Sequence, residues 1–327
     1  MAPPTPAPTK TEKRRMSVAS VSKGIKKEGR RFAFYGPEGV GKTTFVADAS
    51  NPVFFDLDLG SHWMANVPRM PGREDLGREV TYNDILDGVE SLIRDDHNYK
   101  TVVFDTVDKL ESIIWNHVNS RKHNDTKDSI EDWGFGKGYQ YALDTWRDFC
   151  GRFLEDLRAK RGVDIVFIGH AIVKTFKNPD GDDYDRYQMR LHDKSAAFIK
   201  EYCDVVGFIN YEVAIKRDDK AKRSRGAMTG ARILHLARQA AWDAKSRFPT
   251  SDEMPLLWAD FAKAIEDGKT GSVQSLRRQI DQLLEKFSPS WRETLSRRIN
   301  ECGEDTVRLS KAIDYMLGLI RDQERNE

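Results

Sequence analysis

The sequence GPEGVGKTT occupies residues 36–44 and contains the spacing GxxxxGK[ST]. It follows the apolar run RFAFY, residues 31–35, and leads into residues 43–49, which can form a helix. Glycines let successive backbone N–H groups turn toward one anion, and a helix N-terminus adds partial positive charge. The motif in this strand–helix context predicts a phosphate-binding loop made of Gly36, Pro37, Glu38, Gly39, Val40, Gly41, Lys42, Thr43 and Thr44.

Two side chains of this loop carry the chemistry of a bound nucleoside triphosphate. Lys42 supplies a point charge for the β- and γ-phosphates, and the Thr43 hydroxyl is a ligand for Mg²⁺. The metal also needs a nearby carboxylate, and the apolar run TVVFD ends at Asp105. Capping of the following helix is the alternative role for Asp105. The upstream loop favours the metal role, so Thr43 and Asp105 are the predicted magnesium residues.

The pattern around the loop alternates between strands and helices. Apolar runs at residues 31–35, 53–56, 101–105 and 164–169 are typical of strands buried on both faces of a parallel sheet. Helical spacing of apolar residues separates them, most clearly at residues 83–94 and 139–160. The sequence therefore predicts an α/β fold with a mainly parallel central sheet.

The pattern changes after residue 169. Residues 172–176 and 184–191 flank an Asn-Pro-Asp-Gly turn and predict a hairpin, and a helix is expected over 193–202. Strands at 204–215 and 232–236 enclose a basic loop, residues 216–225. Gly268 and Gly271 predict a boundary. We divide the chain into a basic disordered tail, residues 1–20, an ATPase-type core, 21–268, and a small helical appendage, 272–327.

Composition excludes several classes of protein. The chain has 327 residues and a net charge of +1, so any nucleic-acid surface must be a local patch. The mean hydropathy is −0.64, and no apolar run reaches the roughly 20 residues of a membrane span. Three separated cysteines without a CxxC motif favour a reducing, cytoplasmic location.

The first residues are rich in Pro, Ala and positive charge. Residues 1–31 contain nine Lys/Arg against two Glu. A solvated tail is the preferred interpretation, because charge runs are usually solvated. The alternative is an arm that contacts nucleic acid or a partner protein.

Two further positions resemble those of a known family. The second strand continues as Phe55-Asp56-Leu57-Asp58, and the run DIVFIG is followed by His170. With GPEGVGKTT, TVVFDTVDKLE, WGFGKGY and AKSRF, this order resembles the RecA-type P-loop ATPases over residues 31–267. It resembles in particular the phage branch that includes ATP-dependent single-strand annealing proteins.

The resemblance implies a RecA-like core, ATP with Mg²⁺, and three catalytic positions. Lys42 would bind the phosphates, Asp58 would polarise the attacking water, and His170 would sense the γ-phosphate. The family has Glu where this chain has Asp58, whose side chain is one methylene shorter. A loop carboxylate without a catalytic role is the alternative for Asp58.

The resemblance also implies partners. Family members bind single-stranded DNA through loops after the strands that end near Asp105 and His170, and they assemble into rings or filaments. Basic residues in these two regions and in the loop 216–225 are candidate DNA contacts, with a solvated surface as the alternative: Lys137, Lys174, Lys177, Lys216, Arg217, Lys220, Lys222, Arg223 and Arg225. Arg186 and Arg190 belong to the second region as well, and the loop 216–225 could instead reach a neighbouring subunit's nucleotide. In the first region, Trp133 and Tyr139 either stack on bases or pack at the start of the next helix. Lys245 and Arg247 are candidates for fingers that reach a neighbour's γ-phosphate in trans. A single-strand-binding protein is a further expected partner.

These observations predict an ATP hydrolase, stimulated by DNA, that serves phage recombination or single-strand annealing. Two alternatives stay open. One is a nucleotide-dependent binding or assembly protein with little turnover, in which Asp58 is not catalytic. The other is a P-loop kinase for a small molecule, although the sequence contains no compact Arg-rich lid motif.

Overall fold

A computed structural model of the chain describes residues 28–121, 127–179, 181–218, 223–248 and 250–303, with 18, 21, 308, 309, 312, 313, 315, 316 and 318–320. Positions 121, 213–218, 223–229, 267–275, 278, 279, 282 and 290 are described by their backbone alone. The predicted tail, residues 1–20, lies outside the described residues except for position 18.

Nine strands form one sheet within the described residues. They are β1 (Arg31–Gly36), β2 (Pro52–Asp56), β3 (Thr101–Asp105), β4 (Asp164–Phe176), β5 (Tyr184–Met189), β6 (Val205–Asp218), β7 (Arg223–His235), β8 (Lys245–Ser246) and β9 (Glu253–Pro255). The order along the sheet is β2-β3-β4-β1-β6-β7-β9, with β5 paired to β4 and β8 to β6. Strands β2, β3, β4, β1 and β6 are parallel. The predicted α/β class with a mainly parallel sheet is confirmed.

The helices before residue 203 lie between strands of the sheet, and two more follow β9. In chain order, the helices are α1 (Lys42–Ala47), α2 (Arg73–Leu76), α3 (Tyr82–Arg94), α4 (Val107–Arg121), α5 (Lys137–Asp148), α6 (Glu155–Arg161), α7 (Asp193–Tyr202), α8 (Trp258–Leu284) and α9 (Pro289–Asn300). A 3₁₀ turn, Ile130–Trp133, precedes α5, and a π-helical segment, Phe149–Leu154, joins α5 to α6. The helix predicted at 139–160 is thus one helical run with a wider turn in its middle.

The alternation of side chains along each buried strand separates two hydrophobic cores. On β1, Ala33 and Tyr35 face the core that α3 to α7 cover, whereas Phe32 and Phe34 face the core that α1 and α8 cover. Because successive residues of a strand point to opposite faces, a strand covered on both sides needs apolar residues at every position. This requirement explains the uninterrupted apolar runs of the sequence.

The register of the parallel strands brings their carboxyl ends to one edge of the sheet. Gly36 lies beside His170, and Asp56 lies beside Asp105. These residues are far apart in sequence. Gly36, Asp56 and Asp105 end their strands at this edge, and β4 passes the same edge at His170 before it continues to Phe176. Ligand sites in open α/β sheets lie at this edge.

The region predicted as a basic loop, residues 216–225, differs from expectation. Strands β6 and β7 extend into it, so that residue 216 pairs with 225 and residue 218 with 223. The prediction of a loop over all ten residues was wrong, because this segment is rich in charged residues and lacks the apolar alternation that identifies strands. The hairpin predicted at 172–191 is confirmed as β4 and β5.

The C-terminal part has its own apolar cluster, formed by Ile280, Phe287, Leu295, Ile299, Leu309, Ile313 and Met316. Helix α8 runs without interruption through Gly268 and Gly271 and contributes to this cluster near its end. The glycines therefore mark no break in the backbone. The domain division at 268–272 stays a prediction.

Three cysteines, Cys150, Cys203 and Cys302, are free thiols. Among the helices of the described ranges, none combines the length and the apolar character required to cross a bilayer.

Phe104 tests the core that α3 to α7 cover. Its ring stacks on Phe55 at 4.8 Å and on Phe167 at 5.5 Å, and it is fully buried. Phe104→Ala should lower the free energy of unfolding by about 3–5 kcal/mol, because it removes an aromatic ring and leaves a cavity. Urea denaturation measures the change. The matched control, Phe135→Ala, removes a fully exposed ring and should change stability by less than about 0.5 kcal/mol. Equal effects of the two substitutions would contradict the assigned core.

Candidate active site

The predicted phosphate loop connects β1 to α1. Gly39 and Gly41 have φ values of 72° and 92°, in the left-handed region that glycine adopts without strain. A Cβ added to Gly36 would lie 2.2 Å from the carbonyl oxygen of Ile209 on β6. The glycines of the motif are therefore required by the backbone path and by the neighbouring strand. The loop ends at the first turn of α1, where backbone N–H groups lack intrahelical partners.

Lys42 begins α1, and its side chain is buried. Its ammonium group donates to the carbonyl oxygens of Gly36 at 3.0 Å and Pro37 at 2.8 Å. Burial lowers the pKa of Lys42, and the charge of Asp105 opposes that shift. The ammonium group thus lies inside the loop, bonded to backbone oxygens that a phosphate group can replace.

Thr43 and Asp105 meet as predicted. The Thr43 hydroxyl donates to Oδ2 of Asp105 at 2.7 Å. Burial raises the pKa of Asp105 to about 6; the Thr43 hydrogen bond opposes the shift, while the charges of Asp56 and Asp58 add to it. A buried carboxylate whose neighbours are acidic is a site that a cation would stabilise. The hydroxyl and carboxylate oxygens are ligands of the type that Mg²⁺ prefers, so the residues present fit that ion.

The two acids after β2 have different environments. Asp56 is buried and accepts hydrogen bonds from the backbone N–H groups of Gly60 and Ser61 and from the Ser61 hydroxyl. It therefore shapes the turn that carries Asp58. Asp58 is exposed, and the Thr106 hydroxyl donates to its Oδ2 at 2.5 Å. Thr106 follows Asp105 directly, so Asp58 is held close to the predicted magnesium residues.

His170 lies on β4 beside Asp108, which is in the first turn of α4. The backbone N–H of His170 donates to Oδ1 of Asp108 at 3.2 Å, and Nδ1 of the ring is 2.9 Å from Oδ2. Ligand atoms of Asp58, Asp108 and His170 all lie within 4.8 Å of one another. The structure thus brings together the two catalytic candidates, Asp58 and His170, although their roles stay predictions.

Arg190 completes this group of side chains. It follows β5 and donates from Nη2 to Oδ2 of Asp108 at 2.7 Å and from Nη1 to Oε1 of Glu38 at 3.3 Å. Burial alone would raise the pKa of Asp108, but hydrogen bonds from His170 and Arg190 lower it well below its usual range. Glu38 belongs to the phosphate loop, so these contacts connect the loop to the ends of β3, β4 and β5.

Sequence reasoning missed Asp108 and Thr106, and it considered Arg190 as a DNA contact or a solvated surface charge. Asp108 stands three residues after Asp105 in TVVFDTVD. Acids in the first turn of a helix that follows a buried strand are a signal that could have identified it. Arg190 had no comparable signal, because only the pairing of β5 with β4 brings it to this edge.

Two candidate DNA contacts have acidic partners. Lys174 pairs with Asp193 at 2.8 Å, and Lys177 pairs with Asp183. Lys137 is exposed at the start of α5. Lys220 and Lys222 lie outside the described residues, and Lys216, Arg217, Arg223 and Arg225 are described by their backbone alone.

Three residues near these candidates serve the fold. Arg186 is buried and donates to Oδ1 of Asp243 at 2.5 Å, so it is not part of a DNA-binding surface. The Trp133 indole donates to Asn119 at 3.0 Å, and the Tyr139 ring stacks on His192 at 4.0 Å. The packing alternative is therefore correct for both aromatic residues. Phe135, between them in sequence, is fully exposed.

The candidate fingers lie at the opposite edge of the sheet. Arg247 donates to Oδ1 of Asp204 at 3.0 Å, and Asp204 also pairs with Arg31 at the start of β1. Lys245 donates to the carbonyl oxygen of Glu201 at 3.3 Å. Because the phosphate loop follows the carboxyl end of β1, neither side chain lies at the loop of its own chain. Their role in trans stays a prediction.

Comparison with known proteins gives a family match. The family model described as AAA domain matches residues 28–248. No curated protein matches the chain in sequence. Among solved structures, the chain is similar to a crystal structure of the RadB recombinase, with 13% identity and a TM-score of 0.31, over 65% of this chain and 83% of that chain. A TM-score of this size is too low to support a functional argument.

Asp105→Asn tests the buried carboxylate. The pKa of Asp105 is about 6 in the folded chain, against an ordinary 3.8. The folded state therefore binds more protons than the unfolded state between these values, so the wild type loses stability as pH rises through this window. Asparagine removes the charge. The unfolding free energy of the variant minus that of the wild type should rise by about 3 kcal/mol between about pH 4 and pH 7.5.

Urea denaturation of the nucleotide-free protein across that range measures this difference. The control, Asp148→Asn, removes an exposed carboxylate from α5. A difference for Asp105→Asn that does not vary with pH would show that the carboxylate is not destabilised by burial.

Proposed function

The chain belongs to the AAA domain family, and on this premise we propose that it is a RecA-like P-loop ATPase that binds and hydrolyses Mg²⁺-ATP. The observation that carries the proposal is the hydrogen bond between Thr43 of the phosphate loop and the buried carboxylate of Asp105. Phosphate loops hold a nucleotide through backbone N–H groups, one lysine and one hydroxyl. Lys42 and Thr43 have the positions that this chemistry requires, and ATP over GTP is inferred from the family resemblance.

Each side chain has a role in the proposed reaction. Lys42 exchanges its bonds to Gly36 and Pro37 for the β- and γ-phosphates. Thr43 and Asp105 hold Mg²⁺, which neutralises phosphate charge when it is bound. Asp58 orients a water molecule, and the hydrogen bond from Thr106 fixes the direction of its carboxylate. His170, positioned by Asp108, lies on the adjacent strand beside Gly36 and senses the γ-phosphate.

We propose single-stranded DNA as the partner that stimulates the reaction, in a phage-type recombination or annealing system of the host cytoplasm. Lys137 beside the exposed ring of Phe135 supports this proposal, since rings stack on bases and lysines bind phosphates. Lys245 and Arg247 would act on a neighbouring subunit in a ring or filament, and a single-strand-binding protein would be a further partner. The basic hairpin between β6 and β7 is the second candidate DNA surface.

A second function is favoured by one observation. Asp58 is shorter than the glutamate that the family resemblance implies, and Thr106 already occupies one of its oxygens. A nucleotide-dependent assembly protein with little turnover would need no water-activating acid. Phosphate release with and without single-stranded DNA separates these functions: DNA-stimulated release supports the ATPase, and binding without release supports the assembly protein. Transfer of phosphate to a metabolite would instead identify a small-molecule kinase.

Lys42→Ala tests the nucleotide site. Removing the ammonium group should weaken Mg²⁺-ATP binding by about 100-fold or more, because its charge-assisted hydrogen bonds to phosphate no longer form. Isothermal titration calorimetry measures the affinity, and circular dichroism checks the fold. Lys160→Ala removes an exposed lysine from α6 and should leave binding unchanged. Unaltered ATP affinity in the Lys42 variant would remove the loop from the proposed site.

The basic hairpin provides a test of DNA binding. Glutamine at positions 216, 217, 220, 222, 223 and 225 should make the salt dependence of single-stranded DNA binding less steep, by about 0.7 for each phosphate that the hairpin no longer neutralises. Fluorescence anisotropy at several salt concentrations measures the slope. The control replaces Arg94 and Lys160, which are exposed on α3 and α6, with glutamine. Equal slopes for the hairpin variant and the wild type would exclude the hairpin from the DNA interface.

A further inference from the structure

Arg190 places a second cation at the phosphate loop. Its guanidinium group contacts Glu38 within the loop, and its Nη2 also lies 3.0 Å from Nδ1 of His170. Lys42 of the same loop donates to the carbonyl oxygens of Gly36 and Pro37, so the guanidinium group of Arg190 and the ammonium group of Lys42 contact the same loop.

The contacts of Arg190 can be exchanged for a ligand. Both of its ion-pair partners are side-chain carboxylates, and its own side chain is 46% exposed. Arg186, which lies on β5 four residues before Arg190, differs from it in exposure and in its partners. Its side chain is 3% exposed and donates to the backbone carbonyl oxygen of Trp242 as well as to Asp243. Arg186 is fixed within the fold, whereas Arg190 lies at the mouth of the loop on partners that a phosphate group can replace.

The partners of Arg190 allow it to keep one carboxylate and to bind a terminal phosphate with its other N–H groups. Asp108, which holds Nη2, is itself fixed by two contacts from His170. The other nitrogen, Nη1, contacts Glu38, a side chain of 74% exposure. A planar guanidinium group can keep one carboxylate and direct its remaining N–H groups at phosphate oxygens. Glu38 is the partner that an incoming dianionic γ-phosphate would displace, because both compete for the same cation.

We propose that Arg190 binds the γ-phosphate of ATP in cis, leaving Glu38 while it stays paired with Asp108. This inference rests on the proposed nucleotide function and adds the residue that distinguishes ATP from ADP. Nδ1 of His170 can either donate to Asp108 or accept from Arg190, because one nitrogen carries one proton. Movement of Arg190 toward the nucleotide therefore changes the hydrogen bond of His170 and couples the occupied site to β4.

A cis contact has a consequence for assembly. Lys245 and Arg247 can reach a γ-phosphate only in a neighbouring subunit, since they lie at the opposite edge of their own sheet. Arg190 lies at the loop of its own chain. Discrimination between ATP and ADP should therefore persist at protein concentrations at which the chain is monomeric.

Calorimetry with Mg²⁺ and either ADP or the β,γ-imido analogue of ATP tests the proposal. The wild type should bind the analogue more tightly than ADP. Arg190→Ala should weaken binding of the analogue by about 10- to 100-fold and change the ADP affinity by less than about threefold. Arg190→Lys keeps a point charge and should recover part of the affinity. Arg147→Ala, which removes an exposed arginine paired with Asp144, is the matched control.

Three outcomes would overturn the proposal. Equal decreases in affinity for ADP and the analogue would show that Arg190 only anchors the loop to α4. Unchanged affinity for both ligands would exclude a phosphate contact. A preference for the analogue that appears in the wild type only at concentrations at which it oligomerises would assign the contact to a neighbour. A wild type that binds neither nucleotide would instead refute the proposed function itself, and ADP binding by the wild type distinguishes that failure from the others.

Discussion

The hydrogen bond from Thr43 to Asp105 connects the first turn of α1 to the carboxyl end of β3. It holds a carboxylate in a buried position where burial and the charges of Asp56 and Asp58 favour protonation. Such an arrangement lowers stability without a cation, because a buried charge loses its hydration. Under the proposed function, a divalent ion bound beside Asp105 would offset this loss of stability, a relation common at functional sites.

The other acids near Asp105 differ in the groups that donate hydrogen bonds to them. Asp56 is satisfied by the backbone of its own turn, Asp58 by one hydroxyl, and Asp108 by His170 and Arg190. Asp105 accepts a hydrogen bond from the Thr43 hydroxyl, and the charges of Asp56 and Asp58 act on it through space. The hydrogen-bonding partners therefore differ between four neighbouring acids, and these partners decide which acid a metal ion would stabilise most.

The parallel register gives these acids their common location. Strands β1, β2 and β3 end at one edge, and β4 passes the same edge at His170, so residues separated by more than a hundred positions, such as Gly36 and His170, become neighbours. The same register sends Arg31 and Asp204 to the opposite edge, with Arg247. Within one chain, the phosphate loop and the candidate fingers, Lys245 and Arg247, therefore lie at opposite edges of the sheet.

The sequence by itself predicted the four buried strands that start the sheet, the glycine-rich loop after β1 and the acid that meets Thr43, because uninterrupted apolar runs and glycine spacing are local properties with few alternative structures. The strand predicted to end before His170 instead continues through it to Phe176. Only the tertiary structure decided that Trp133 and Tyr139 pack inward, that residues 216–218 and 223–225 are paired strands, and that Arg190 contacts Glu38. These outcomes depend on which strands pair and in which register, and no local pattern of charges or rings specifies a partner that is distant in sequence.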